Sequence, residues 1–280
     1  MGDFQISPGA YVGPILTWMN INLHIVFAAI SAFFDGLVGG INAALSYPPA
    51  PIVIAVLAAG AALAAGWRCS VLVTAGLSIC VIFGMWDATL QTISLVLIAV
   101  LFSIAVGIPL GVLVSRSQKL EVAAKPVLDV MQTLPPWVYL VPAVILFGLG
   151  SVPALLSTII YGLAPMVRLT VLALAQVPSE RIELGNSIGA TKLTILRKIE
   201  LPSALPTLLV GVNQCILLSL AMVVLAGLVG AGGLGSEVTR GLTRMELGVS
   251  MRAGLSIAAL AIVMDRVCRG AVPKTYLEVS

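Results

Sequence analysis

Few side chains in this 280-residue sequence are equipped to act on a covalent bond. His24 is the only histidine, which leaves almost no raw material for a Ser-His-Asp relay or a zinc site. Cys69, Cys80, Cys215 and Cys268 lie in or beside apolar runs with no CxxC pair. They read as small buried apolar residues, not as a disulfide framework or metal ligands. Gly230-Ala-Gly-Gly-Leu-Gly235 matches G-x-G-x-x-G by letters, but that fingerprint needs a strand before it and a βαβ unit around it. Here it follows a long apolar run, so it reads as a flexible turn. No G-x-x-x-x-G-K-[ST] occurs, so no ATP site of the P-loop kind and no cofactor is expected in this chain. What stands out instead is charge in unusual places: Asp129 and Arg168 within apolar runs, and a dense cluster from Glu180 to Glu200. That is material for ion pairing and recognition.

The elements that must position these residues are set by the solvent. The sequence is 59% hydrophobic and 10% charged, whereas a soluble domain carries about 25% charged residues. An ordinary soluble enzyme and a disordered chain are both excluded. The apolar runs are long and do not alternate, which argues for helices and against a porin-type barrel. A net charge of +3, with no basic patch interleaved with aromatics, gives no reason to expect nucleic-acid binding. The opening MGDFQ lacks the basic region of a secretory signal. An all-α, multi-pass membrane protein is predicted, with membrane lipid as its surroundings.

Seven spans are predicted, near 51–66, 69–85, 90–114, 126–148, 152–175, 205–229 and 251–267. With alternating spans, Arg68, Arg116, Lys119, Lys125, Arg181, Lys192, Arg197, Lys198, Arg266, Arg269 and Lys274 fall on one side. Only Arg240, Arg244 and Arg252 fall on the other, so the first side is cytoplasmic by the positive-inside rule. Residues 1–50 are read as amphipathic helices at the outer membrane face, the alternative being one further span over 15–34. The predicted organisation is 1–50 interfacial, 51–86 two additional helices, 87–268 the core with a cytoplasmic loop at 178–206, and 269–280 a cytoplasmic tail. Gly107 and Gly111 form a GxxxG in the third span and are expected to serve packing within one subunit.

The loop at 178–206 carries the most information. Pro178 and Ser179 start a helix, with Glu180 and Glu183 complementing its dipole. Gly189 ends it in a left-handed conformation. Lys192 to Glu200 reads as a second short helix stopped before Pro202. Ile182, Leu184, Ile188, Leu193 and Leu196 add apolar surface that suits either docking on another protein or contact with lipid headgroups.

Glu183, Gly189 and Ile199-Glu-Leu-Pro202 resemble the EAA loop of ABC importer permeases, which reads EAA, three residues, G, nine residues, I-x-L-P. Leu184 and Gly185 stand where that family has two alanines. The stretch Met131-Gln-Thr-Leu-Pro-Pro-Trp-Val-Tyr-Leu-Val-Pro is similar to the fourth span of type I permeases for glycine betaine, proline betaine and choline. So are Gly211-Val-Asn-Gln214, Ala221-Met-Val-Val224, Gly230-Ala-Gly-Gly-Leu-Gly235 and Ala261-Ile-Val-Met-Asp-Arg266. The resemblance implies a permease homodimer in the bacterial inner (plasma) membrane and two ATPase subunits that bind ATP and Mg. It also implies an extracytoplasmic substrate-binding protein. Glu183, Leu184, Gly185, Gly189, Ile199, Leu201 and Pro202 would form the ATPase-coupling loop. Glu237, Arg240, Arg244 and Glu246 would either meet the binding protein or form a solvated loop.

A quaternary ammonium group has no N–H to donate, so aromatic faces must recognise it by cation–π attraction. Trp137 and Tyr139 follow Pro135-Pro136, and Tyr161 lies mid-span. These three, with Gln132, Asn213 and Gln214, are candidates for the substrate pathway. Ordinary packing is the competing reading for the aromatics, and bonding across helices for Asn213 and Gln214. Asp129 and Arg168 either snorkel to the interface or pair and line a cavity. Two rivals are weaker. An ion-coupled secondary transporter would show inverted repeats and mid-membrane carboxylates. An intramembrane protease would need a Ser-His pair or a GxGD sequence, and neither is present in a span.

Overall fold

A computed structural model of the protein describes residues 8–270, with side chains from residue 13 onward. The MGDFQ start and the tail after Gly270, with Lys274, lie outside the described residues. Among the described residues there is no strand. Within these residues thirteen α-helices follow one another: α1 Pro8–Asn22, α2 His24–Ser46, α3 Ala50–Ala65, α4 Trp67–Ile82, α5 Trp86–Ser115, α6 Gln118–Thr133 and α7 Trp137–Phe147. Then come α8 Ser151–Ala175, α9 Ser179–Ser187, α10 Lys192–Ile195, α11 Leu201–Ala226, α12 Gly233–Thr243 and α13 Leu247–Gly270. A π turn, Leu196–Glu200, joins α10 to α11, and a 3-10 turn, Gly227–Val229, follows α11.

The core is a stack in which α5 packs along α8 and α8 along α11. Small residues set the spacing. A Cβ on Gly107 would lie 2.8 Å from Met166 Cβ, and one on Gly111 2.4 Å from Thr170 Cβ, so the GxxxG pair does pack within the chain. Cys215 Sγ donates to Gly162 O at 2.9 Å, which joins α11 to α8. All four cysteines are free and buried.

Among the described residues, five segments are long and apolar enough to cross a bilayer: α2, α5, α8, the continuous run Lys192–Val229, and α13. The pair α6 and α7 makes a sixth only if the 90° bend between them is counted within one span. The expected single span over 126–148 is therefore broken. Pro135 disfavours helix at the residue before it, and Leu134 is extended at φ −64°, ψ 134°. Two successive prolines also remove two backbone donors. Of the other expected spans, α3 and α4 have 16 residues each. At 1.5 Å per residue they reach about 24 Å, short of a hydrocarbon core of about 30 Å.

Over the N-terminal region, α2 has the length of a span where interfacial helices are expected. Several of its contacts gather toward one end of the bundle. Phe27 packs on Phe147, the last residue of α7, and Ser151, the first residue of α8, donates to Asp35. Phe34 is its one buried residue and stacks edge-on against Phe102.

The helix ends sort into two sets. At one end Arg116 meets Glu200, Cys268 Sγ donates to Leu209 O, and Gly270 abuts Ala65. At the other, Gly150 N donates to Val229 O at 2.9 Å and Arg252 reaches Phe83 O at 3.4 Å. Arg68, Arg116, Arg181, Lys192, Arg197, Lys198 and Arg269 belong to the first end, and Arg240, Arg244 and Arg252 to the second. This is the asymmetry from which the cytoplasmic face was deduced.

Candidate coupling and translocation sites

At the end of the bundle rich in Arg and Lys, α9 and α10 form a hairpin whose turn is made by the backbone. Ala190 N donates to Gly185 O and Gly189 N to Asn186 O, each at 3.0 Å, in the Schellman pattern. Gly189 has φ +73°, and a Cβ there would meet nothing within 4 Å. Glycine is thus required for its conformation and not for space. Thr191 then caps α10 by accepting from Thr194 N at 3.3 Å.

The motif residues divide by exposure. Gly185 is buried, and a Cβ on it would lie 2.9 Å from Ile199 Cδ1 and 3.0 Å from Ile195 Cγ1. The close approach of α9 to the segment after α10 leaves little room for a larger residue. Glu183 and Leu184 face outward, and Leu184, Ile188 and Leu193 are 64%, 76% and 55% exposed. The hairpin so offers an apolar strip bordered by charge. Leu201 is partly buried and Pro202 exposed.

The second helix does not stop before Pro202. It runs through the π turn into α11, and Leu201 N donates five residues back to Leu196 O. The wider π turn makes room near a proline whose ring would otherwise crowd the preceding turn. The last residue of that turn, Glu200, is one to which the sequence assigns no role of its own. It is 5% exposed and pairs in bidentate fashion with Arg116, the residue that caps the end of α5; Nη1 and Oε1 are 2.9 Å apart. Hydrogen bonding to Glu200 raises the Arg116 pKa above its ordinary value, and burial opposes this only in part. The available signal was a lone acid inside the Ile-x-Leu-Pro segment.

Of the aromatic candidates, the structure brings Tyr139 and Tyr161 together, with ring centroids 6.0 Å apart at 53°. Tyr139 also spans the break between α6 and α7, since its hydroxyl donates to Met131 O at 2.6 Å. Ser157 Oγ on α8 donates to Tyr139 O at 3.1 Å. Trp137 opens α7 and is half-exposed, and Gln132 is partly buried in the last turn of α6. Asn213 bonds across helices: its Nδ2 donates to Asp265 on α13 at 2.8 Å, and Arg269 Nε donates to the same oxygen at 2.8 Å. Gln214 is exposed.

Asp129 and Arg168 pair with each other. Together with the Glu121–Lys125 pair they line a groove of about 490 Å³ between the ends of α5, α6 and α8. At the other end, the segment 232–235 is closely packed against its neighbours. Gly230, Gly232 and Gly233 have positive φ, and a Cβ on Gly235 would lie 2.0 Å from Val223 O. Glu237 and Arg240 pair at 2.8 Å on α12.

Residues 103–274 match the family described as binding-protein-dependent transport system inner membrane component. The chain is 40% identical over 251 residues to a glycine betaine/proline betaine transport system permease of Escherichia coli, covering 90% of this chain and 71% of that one. It is 39% identical to a glycine betaine transport system permease of Bacillus subtilis, over 89% of each. A glycine betaine/carnitine transport permease of Listeria monocytogenes is 41% identical over 69% of this chain and 68% of its own. In fold, the chain resembles an inward-facing methionine ABC transporter with a TM-score of 0.57 and 24% identity, over 65% of this chain and 93% of that one. The match over most of the core, together with these relatives, means that this chain belongs to the family of binding-protein-dependent transport system inner membrane components.

Proposed function

We propose that the chain is the membrane subunit of an ATP-driven importer of glycine betaine or a related quaternary-amine osmolyte. It works as a homodimer with two ATPase subunits and an external binding protein. The carrying observation is the cytoplasmic hairpin. Its turn is fixed by Gly189 and its two arms are locked at Gly185 and Ile199, while Leu184, Ile188 and Leu193 are left exposed for a partner. In this reading Glu183 meets a basic group of the ATPase, and the protein itself does no covalent chemistry. ATP and Mg act on the partner, and the ATPase cycle biases two arrangements of the permease helices.

The substrate assignment draws on the relatives' names and on the Tyr139–Tyr161 pair beside the broken helix. Two neighbouring phenol rings, tilted to each other, offer faces that attract a cation with no N–H, and the freed backbone around Pro135-Pro136 leaves carbonyls for its polarised methyl groups. Purification followed by mass spectrometry tests the assembly: a co-purifying ATPase is expected, and its absence from a folded, membrane-extracted permease would reject the reading. Uptake competition among choline, glycine betaine and proline then tests the substrate class. Failure of both quaternary amines to compete would reject it.

A further inference from the structure

We propose that the Arg116–Glu200 ion pair is the joint through which movement of the cytoplasmic hairpin reaches the outer side of the protein, with α5 as the connecting rod. The inference rests on the coupling role given above to the hairpin.

Three observations carry it. First, the joint is built to fix orientation as well as distance. Glu200 is almost fully buried, and a carboxylate there is costly unless paired. Both of its oxygens meet the guanidinium fork, a geometry that resists rotation where a single contact would not. It sits at the end of the π turn, between the hairpin and α11, so any tilt of the hairpin is felt there first. Second, α5 is continuous and braced along its length. It has 30 residues, about 45 Å at 1.5 Å each, and although Pro109 lies inside it, close packing on α8 at Gly107 and Gly111, on either side, supports that point. Third, its far end grips another element. Gln91 Oε1 accepts from Gly233 N at 2.7 Å and Thr92 Oγ1 from Leu234 N at 2.9 Å. These are the unpaired donors of the first turn of α12, the outer helix. One helix is therefore fastened by a charged fork at the cytoplasmic end and by two hydrogen bonds at the other.

The test uses the complete complex of permease, ATPase and binding protein in liposomes. ATP hydrolysis is measured with and without glycine betaine-loaded binding protein, alongside uptake of labelled glycine betaine. The variants are Glu200→Gln, Arg116→Gln, the exchange Arg116→Glu with Glu200→Arg, and the distal pair Gln91→Leu with Thr92→Val. Each single variant and the distal pair should cut stimulation by the loaded binding protein roughly 2- to 30-fold, the range expected for residues that carry coupling. The ATPase should still co-purify. The exchanged pair should recover more than half of the stimulation. Should a single variant fold poorly, the exchange still decides: normal yield with stimulation restored supports the joint, and normal yield without it overturns it. Stimulation equal to wild type in both single variants also overturns it. That outcome leaves the proposed function intact, because the wild-type complex reports on that function separately.

Discussion

Gly185 and Ile199 touch across the cytoplasmic hairpin so closely that a Cβ on Gly185 would sit 2.9 Å from Ile199 Cδ1. The obstructing atoms are the flexible ends of Ile199 and Ile195, which can yield by a few tenths of an ångström. Gly185→Ala should therefore keep ATPase binding. Gly185→Leu should overpack the hairpin by about 1–3 kcal/mol and lose the ATPase on purification. Equal retention in both variants would show that this contact does not shape the docking surface.

Gly189 poses the opposite case, since space is free and only the backbone is demanding. Gly189→Asn should be tolerated better than Gly189→Val, which at φ +73° costs about 1–2 kcal/mol. The measurement is the ratio of substrate moved to ATP hydrolysed. Val should lower it with membrane insertion intact, and Asn should fall between Val and wild type.

On the outer side, Gly227 and Gly235 pack backbone to backbone. A Cβ on Gly227 would lie 2.3 Å from Gly235 C, and one on Gly235 2.0 Å from Val223 O. Neither obstacle is a side chain that can swing away. Gly235→Ala should reduce the monodisperse fraction recovered in detergent and lower Tm by several degrees. Gly248→Ala, with nothing within 4 Å, should match wild type. A normal Tm for Gly235→Ala would contradict the close packing of this segment.

Tyr139 has two separable roles. Tyr139→Phe removes the hydroxyl bond to Met131 O, worth about 0.5–1.5 kcal/mol, but keeps the ring. Its effect should appear in Tm. Tyr139→Ala and Tyr161→Ala remove the paired faces, and each should lower uptake of a quaternary amine. Trp137→Ala should lower uptake more than Trp67→Ala, because Trp67 opens α4 away from the break. If Tyr139→Ala, Tyr161→Ala and Trp137→Ala all transport at the wild-type rate, the aromatic group lies off the pathway.

The sequence by itself determined the solvent, the helical class and the hairpin turn. Each follows from composition or from short-range rules. Scarce charge demands lipid, apolar runs demand helices, and a glycine after an amphipathic segment supplies the left-handed end that Gly189 adopts. Proline was read less well, because its effect depends on what surrounds it. Pro202 was expected to end a helix and instead follows a π turn, whereas Pro135-Pro136 broke what looked like one span.

Only the tertiary structure decided which distant side chains meet. Arg116 and Glu200 are 84 positions apart, Asn213 and Asp265 52, and Asp129 and Arg168 39. Spacing along a chain fixes which residues share a turn or a helix face. It does not fix which two helices approach, a choice made by side-chain volume, as where Gly107 and Gly111 admit Met166 and Thr170. Once α5 and α8 are drawn that close, the end of α5 falls beside the π turn, and a buried Glu200 finds its partner there.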